Sequence, residues 1–426
     1  MQSHKMQQAH RAAVVPSLVA ALAAAFSTGA WAQEEPSPYY IGITQALTHD
    51  SNVYGSPNAI SDNYSSTGLR GGFDQMISRQ RLYGNANVRY NKYQSETGLD
   101  NTSYGVAGGW DWATINELSG TLAATANQSL ASLDTTAGSQ QNTNGEKNLV
   151  KSDQLSASVM WGGAAALSLQ GAYSHSRVSY SAASYAALAS SADSASIGIF
   201  YRLGPDIRLG AALRYVRTDS PNGFTPTTGP TEPNTSNIRN LDLTADWHVT
   251  AQSGVDARLS WTRQTNSNEN MTDLDFSGLT GMFTAKYAPT GKTRLSASLS
   301  RDVGTNAAFF NNPNAGTTGQ TSSTYLTHNS QTTDTLSVTA NYLATAKITL
   351  NTVASYRRSK IVYDGGSAPV DGNDDIKSIA LGAEYAIARS WQLACKLAHS
   401  SRNVSGSSNF SYTDNSLGCS AQLTLR

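Results

Sequence analysis

From Tyr39 onward, stretches of about 10–14 residues with alternating apolar and polar side chains are joined by connections that switch strictly between short and long. The short connections lie near 74–78, 113–116, 162–165, 204–206, 250–253, 289–292, 344–346 and 388–390. Gly204-Pro205-Asp206 and Pro289-Thr290-Gly291-Lys292 carry plain turn chemistry. The long connections centre near 50–63, 94–101, 131–149, 179–192, 219–237, 266–272, 304–331, 363–374 and 403–411, and are rich in Asn, Ser, Thr, Gly and Pro. A period of two sends successive side chains to opposite faces of a strand, so each stretch has one apolar face and one polar face. Hairpins that are short at one end and long at the other have the asymmetry of an outer-membrane barrel, with short periplasmic turns and long extracellular loops.

The pattern predicts 18 strands, at 39–49, 64–74, 80–93, 102–112, 117–130, 150–162, 165–178, 193–203, 206–218, 238–249, 254–266, 273–288, 293–303, 332–344, 347–361, 375–387, 391–402 and 412–425. The number is even and both ends of the series fall on the short-turn side, as a closed up-and-down barrel requires. Ten residues at about 3.3 Å rise and roughly 40° tilt cover about 25 Å, the height of the outer-membrane apolar band. The expected fold is therefore all-β: a single antiparallel transmembrane β-barrel over residues 33–426.

Composition agrees. Charged residues make up 14% of the 426, against roughly 25% in an ordinary soluble domain. Hydrophobic residues are 39%, and the chain carries 20 Tyr. Lys+Arg and Asp+Glu number 30 each, so no net field draws nucleic acid. The chain after the first segment has no apolar run near 20 residues, which excludes a bundle of membrane helices. A secreted β-sandwich or β-helix would share the alternation, but needs neither strict alternation of short and long connections nor aromatic residues at both strand ends.

Residues 1–32 have the form of a secretory signal peptide. Lys5, His10 and Arg11 make a charged start, 12–26 is apolar, and Ala30-Trp31-Ala32 is a small-x-small site before Gln33. Cleavage after Ala32 and delivery to the outer membrane of a Gram-negative cell are expected, with outer-membrane lipid and lipopolysaccharide as surroundings.

The faces can be assigned strand by strand. Ile207, Leu209, Ala211, Leu213 and Tyr215 share one face, as do Trp391, Leu393, Cys395 and Leu397, and Leu417, Cys419, Ala421, Leu423 and Leu425. The opposite faces carry Asp111, Arg208, Arg214, Glu384, Lys396 and Gln422. Many bacterial barrels end in an aromatic residue; this chain ends Leu423-Thr424-Leu425-Arg426, with Leu425 in that place.

The first hairpin reads Asp50-Ser51-Asn52-Val53-Tyr54, then Ser61-Asp62, a Gly68-Leu69-Arg70-Gly71-Gly72 strand, Arg79-Gln80-Arg81-Leu82-Tyr83 and Tyr90-Asn91-Lys92-Tyr93. This order resembles the β-barrel porin family of EpsL-like outer-membrane proteins found beside exopolysaccharide genes. The family element is Asp-Asn-Val-aromatic, so the inserted Ser51 is a departure, and the specific motifs cover only about residues 40–95 and the last strand. The resemblance implies a porin for export of exopolysaccharide, with a polysaccharide and periplasmic export components as partners. A general diffusion porin for small solutes, and a structural or adhesive surface barrel with a plugged lumen, remain alternatives.

Catalytic patterns are weak. The triad letters His49-Asp50-Ser51 are adjacent in the chain, whereas working triads draw on separate elements. Asp371-Gly372-Asn373-Asp374-Asp375 begins like a calcium loop but has Ile376 where a turn glycine is needed and Gly382 in place of the closing Glu. No catalytic residue, metal or cofactor is implied. Cys395 and Cys419 share the lipid-facing parity of consecutive strands, and a register placing them opposite each other puts the hairpin tip at Ser407. A cross-strand disulfide and two buried thiols are both compatible with that register.

The inward parity holds the transport candidates: Arg202, Arg208, Arg214, Asp246, His248, Asp256, Arg258, Lys286 and Arg294. All but Arg214 are placed within a few residues of short turns, and are expected to form one ionic patch near the periplasmic mouth. Such a patch serves a transport path for hydrated, anionic cargo, or a salt-bridge network that stiffens the wall.

Overall fold

The computed structural model describes residues 37–115, 117–131, 147–163, 165–224, 230–269, 275–303, 330–364, 369–405 and 411–426. Residues 1–32, read above as a signal peptide, lie outside these. The strands are β1 (Tyr39–Asp50), β2 (Asp62–Ile77), β3 (Gln80–Tyr93), β4 (Asn101–Ala113), β5 (Leu118–Leu130), β6 (Leu149–Trp161), β7 (Leu167–Tyr180), β8 (Ser190–Leu203) and β9 (Ile207–Phe224). They continue as β10 (Glu232–Thr250), β11 (Ser253–Asn266), β12 (Phe276–Thr290), β13 (Thr293–Val303), β14 (Ser330–Leu343), β15 (Ile348–Asp364), β16 (Pro369–Ala386), β17 (Trp391–Ser405) and β18 (Tyr412–Leu425).

All 18 form one sheet, each strand antiparallel to its chain neighbours, and β1 closes the ring by pairing with both β2 and β18. Ile41 faces Gly71 on one side and Leu425 on the other, so the last apolar residue of the chain seals the barrel. Closure leaves no strand edge, the condition a sheet must meet in lipid. Gly162 and Gly204 hold φ of 76° and 78° at two of the short turns, a conformation open to glycine without strain.

Each strand coincides with a stretch marked by alternation, but β9, β10, β15 and β16 run to 18, 19, 17 and 18 residues. Their extensions lie at the long-loop end, as in Asp219-Ser220-Pro221-Asn222 of β9. Beyond the lipid band both faces meet water, so apolar alternation stops while the backbone ladder continues.

The two faces separate the barrel from a sandwich. Ile41, Leu47, Leu213 and Ile197 are 61–66% exposed on the outer face, where a sandwich would bury them. Tyr39, Trp161, Tyr201, Trp247 and Tyr287 are exposed near the short-turn end, and Tyr90, Tyr173, Tyr215 and Trp261 nearer the long-loop end, giving two aromatic girdles. The most fully buried side chains are mainly polar: Asp242, Asp374, Ser260, Ser359, Thr262 and Asn148, with Leu99. Among the described residues, apolar burial is confined to small clusters, such as Tyr93 with Leu99 and Ala182 with Tyr185 and Leu188.

Candidate functional site

The inner wall from β8 to β13 carries the nine inward candidates in two tiers. The first tier lies close to the short turns. Register pairing places Arg202 opposite Arg208, Arg208 opposite Asp246, and Asp246 opposite Asp256, a continuous row across β8, β9, β10 and β11. Lys286 Nζ lies 2.6 Å from Asp256, and His248 Nδ1 lies 3.9 Å from Asp246. Arg208 stacks its guanidinium 4.4 Å from the Phe200 ring centroid, and Arg202 donates to the Gly163 carbonyl at 3.1 Å. Arg294 is the second residue of β13, opposite Asn341. Among these candidates, four fixed cations stand against two carboxylates.

The second tier lies deeper and is dry. Arg214 donates twice to Asp242, at 2.9 and 3.2 Å, with the two side chains 11% and 1% exposed. Arg258 lies 3.3 Å from Asp302, again with both side chains largely shielded. Thr262 donates to Asn240 at 2.7 Å and shares a 2.6 Å bond with Thr280. Asp242, Ser260 and Thr280 follow one another in register across β10, β11 and β12. The expectation of a single patch at the mouth is therefore corrected for Arg258, which is locked to a partner two strands away. Arg214 belongs to the same tier.

Asp242 and Asp302 were absent from the sequence candidates. Both carry inward parity, which is legible in the sequence, but neither lies beside a short turn. Strand tilt brings Asp302, next to last in β13, level with Ser260 in the middle of β11. A comparable buried pair closes the wall at the long-loop end of β16 and β17, where Arg402 donates to Asp374 at 2.9 and 2.6 Å.

The remaining motifs are structural. Cys395 and Cys419 are directly opposite on β17 and β18, with Cα atoms 4.1 Å apart, and are joined by a disulfide on the lipid-facing surface. His49 points outward and meets Asn63 Oδ1 at 2.9 Å, while Ser51 donates to Asp414 at 3.1 Å, so the triad letters diverge. Asp374 and Asp375 of the calcium-like run sit within β16, bound to Arg402 and to the Tyr356 hydroxyl. The Asp-Ser-Asn-Val-Tyr element folds its own connection. Buried Asn52 donates to the carbonyls of Ser56 and Thr413, and the Tyr54 hydroxyl donates to Glu96 at 2.7 Å. Asp62 accepts from the backbone N–H groups of Asn63, Ser95 and Glu96, which ties this connection to the next.

No protein-family model and no curated protein matches the chain. Among solved structures it is similar to OpdK of Pseudomonas aeruginosa with vanillate, at a TM-score of 0.46 and 12% identity over 91% of this chain and 99% of that one. A BenF-like porin from Pseudomonas fluorescens Pf-5 gives 0.45 and 13% over 91% and 99%. The siderophore receptor PirA from Acinetobacter baumannii gives 0.41 and 8% over 92% and 81%. The EpsL-like resemblance thus gains no support from the family comparison, and the fold rests on the chain's own closed register.

Proposed function

We propose that this chain is an outer-membrane channel for diffusion of small hydrophilic solutes, with a preference for anions set at the short-turn mouth. The observation that carries this is the combination of an apolar, lipid-matched outer face with a polar, ion-bearing inner face around a closed ring of 18 strands. Such a ring has a backbone radius of about 18 Å, from roughly 4.8 Å strand spacing and 40° tilt, which inward side chains do not fill. Arg202, Arg208, Lys286 and Arg294 at the mouth supply a positive field that a low-dielectric wall concentrates.

Export of exopolysaccharide has less support. It rests on the first-hairpin motifs, and Asn52, Tyr54 and Asp62 are engaged in packing the connections between strands. The test is reconstitution of the refolded chain into a planar bilayer. Stepwise ohmic conductance that small neutral sugars traverse and polysaccharide does not block is the expected result. A folded, inserted barrel without conductance would favour a plugged structural barrel, and block by polysaccharide from one side would restore the export reading.

A further inference from the structure

The outer face of β10 and β11 carries two arginines that have no counter-charge among the described residues. Arg239 and Arg263 are direct register partners, both exposed and both on the lipid-facing parity. Opposed side chains on neighbouring strands have Cβ atoms about 4.5–5.5 Å apart, and like charges there repel. Two other arginines of this outer rim are matched: Arg217 lies 3.0 Å from Asp219, and Arg301 lies 2.6 Å from Asp334. Among the described residues, the side chains of Arg239 and Arg263 have neither a hydrogen bond nor an ion pair. Their height is defined by their neighbours. Arg263 follows Trp261 by one outward step on β11, and Arg239 faces Tyr215 on β9. Trp261 and Tyr215 belong to the aromatic girdle nearer the long loops, where lipid headgroups begin.

We infer that Arg239 and Arg263 together form a binding site for a phosphate of a phosphorylated glycolipid in the outer leaflet. Two guanidinium groups side by side offer forked donors that match phosphate oxygens, and a shared anion turns their repulsion into attraction. The aromatic side chains beneath them sit where the sugar and acyl junction of such a lipid would lie. This site rests on the outer-membrane reading.

The test uses the full chain refolded into phosphatidylcholine vesicles, with and without diphosphorylated lipid A. Wild type is compared with Arg239→Gln/Arg263→Gln and with Arg301→Gln, which alters a matched arginine of the same rim. Lipid A should raise the urea midpoint of wild type and of Arg301→Gln, but not of the double variant. In phosphatidylcholine alone the double variant should be at least as stable as wild type, since a repulsion is removed. Lipid A retained on detergent extraction, measured by mass spectrometry, should fall about tenfold or more in the double variant, from the loss of two charged hydrogen-bonding groups. Equal lipid A response in wild type and the double variant would overturn the site while leaving the channel reading intact. Displacement of lipid A by equimolar inorganic phosphate would assign the arginines to a soluble anion and overturn the lipid proposal. Failure of wild type to insert into either vesicle would overturn the membrane reading and the site together.

Discussion

Arg214 and Asp242, on the adjacent strands β9 and β10, hold each other through two hydrogen bonds on the inner wall, and Asp242 is 1% exposed. They are diagonal rather than direct partners: Arg214 faces Asn240, and Asp242 faces Ala212. The geometry lets one guanidinium fork grip one carboxylate with water excluded.

Breaking that pair should cost much more than replacing it. Asp242→Ala removes the carboxylate that grips the largely buried Arg214, and breaking such a buried pair typically costs about 3–5 kcal/mol. Arg214→Met with Asp242→Leu keeps the volume and removes both charges, so it should lie much closer to wild type. Urea unfolding from vesicles measures both, and equal losses would show that the wall depends on the charges themselves.

Selectivity should divide between the two tiers. Changing Arg202, Arg208 and Arg294 to Gln should leave assembly intact and lower anion preference, read as reversal potential in a salt gradient. The difference should shrink toward high ionic strength, where the Debye length falls to about 3 Å at 1 M. Arg258→Gln should instead lower stability with little change in selectivity, because Arg258 is held by Asp302 in the dry tier. A selectivity change from Arg258→Gln as large as from the mouth substitutions would place the conduction path deeper in the wall.

Facing can be tested with one residue and its neighbour. Leu243 is 54% exposed on the lipid side of β10, and Thr244 points the other way. Leu243→Arg should destabilise by about 2–4 kcal/mol, the cost of an arginine near the bilayer midplane, whereas lumen substitutions chiefly tune selectivity. A Thr244→Arg variant as unstable as Leu243→Arg would contradict the assigned parity.

The bond between Cys395 and Cys419 spans a sequence separation of 24 and closes the last hairpin. The chain-entropy relation gives about 3.5 kcal/mol for a loop of this size. Replacing both with Ser should lower stability by up to that amount without preventing closure, since the pairing of β1 with β18 does not involve the sulfurs. Thiol labelling of denatured, unreduced protein should detect almost no free thiol in wild type; full labelling would leave the register standing and remove the bond.

The amino-acid sequence by itself determined the strands, their number and their parity. Alternation is local, and whether Leu213 and Arg214 face opposite ways depends only on their being consecutive in a strand. The opposition of Cys395 and Cys419 was only compatible with the sequence, because a long connection does not fix a register; the pairing of β17 with β18 does. Tertiary structure alone decided which inward residues meet. Arg258 joins Asp302 across β12, and Arg214 takes Asp242 rather than the Asn240 it faces, because strands tilt and stagger around the ring. Distance along a strand from its turn therefore does not give height in the wall. Nor does parity separate a wet arginine such as Arg202 from a dry one such as Arg258; that difference comes from the side chains on neighbouring strands that close over it.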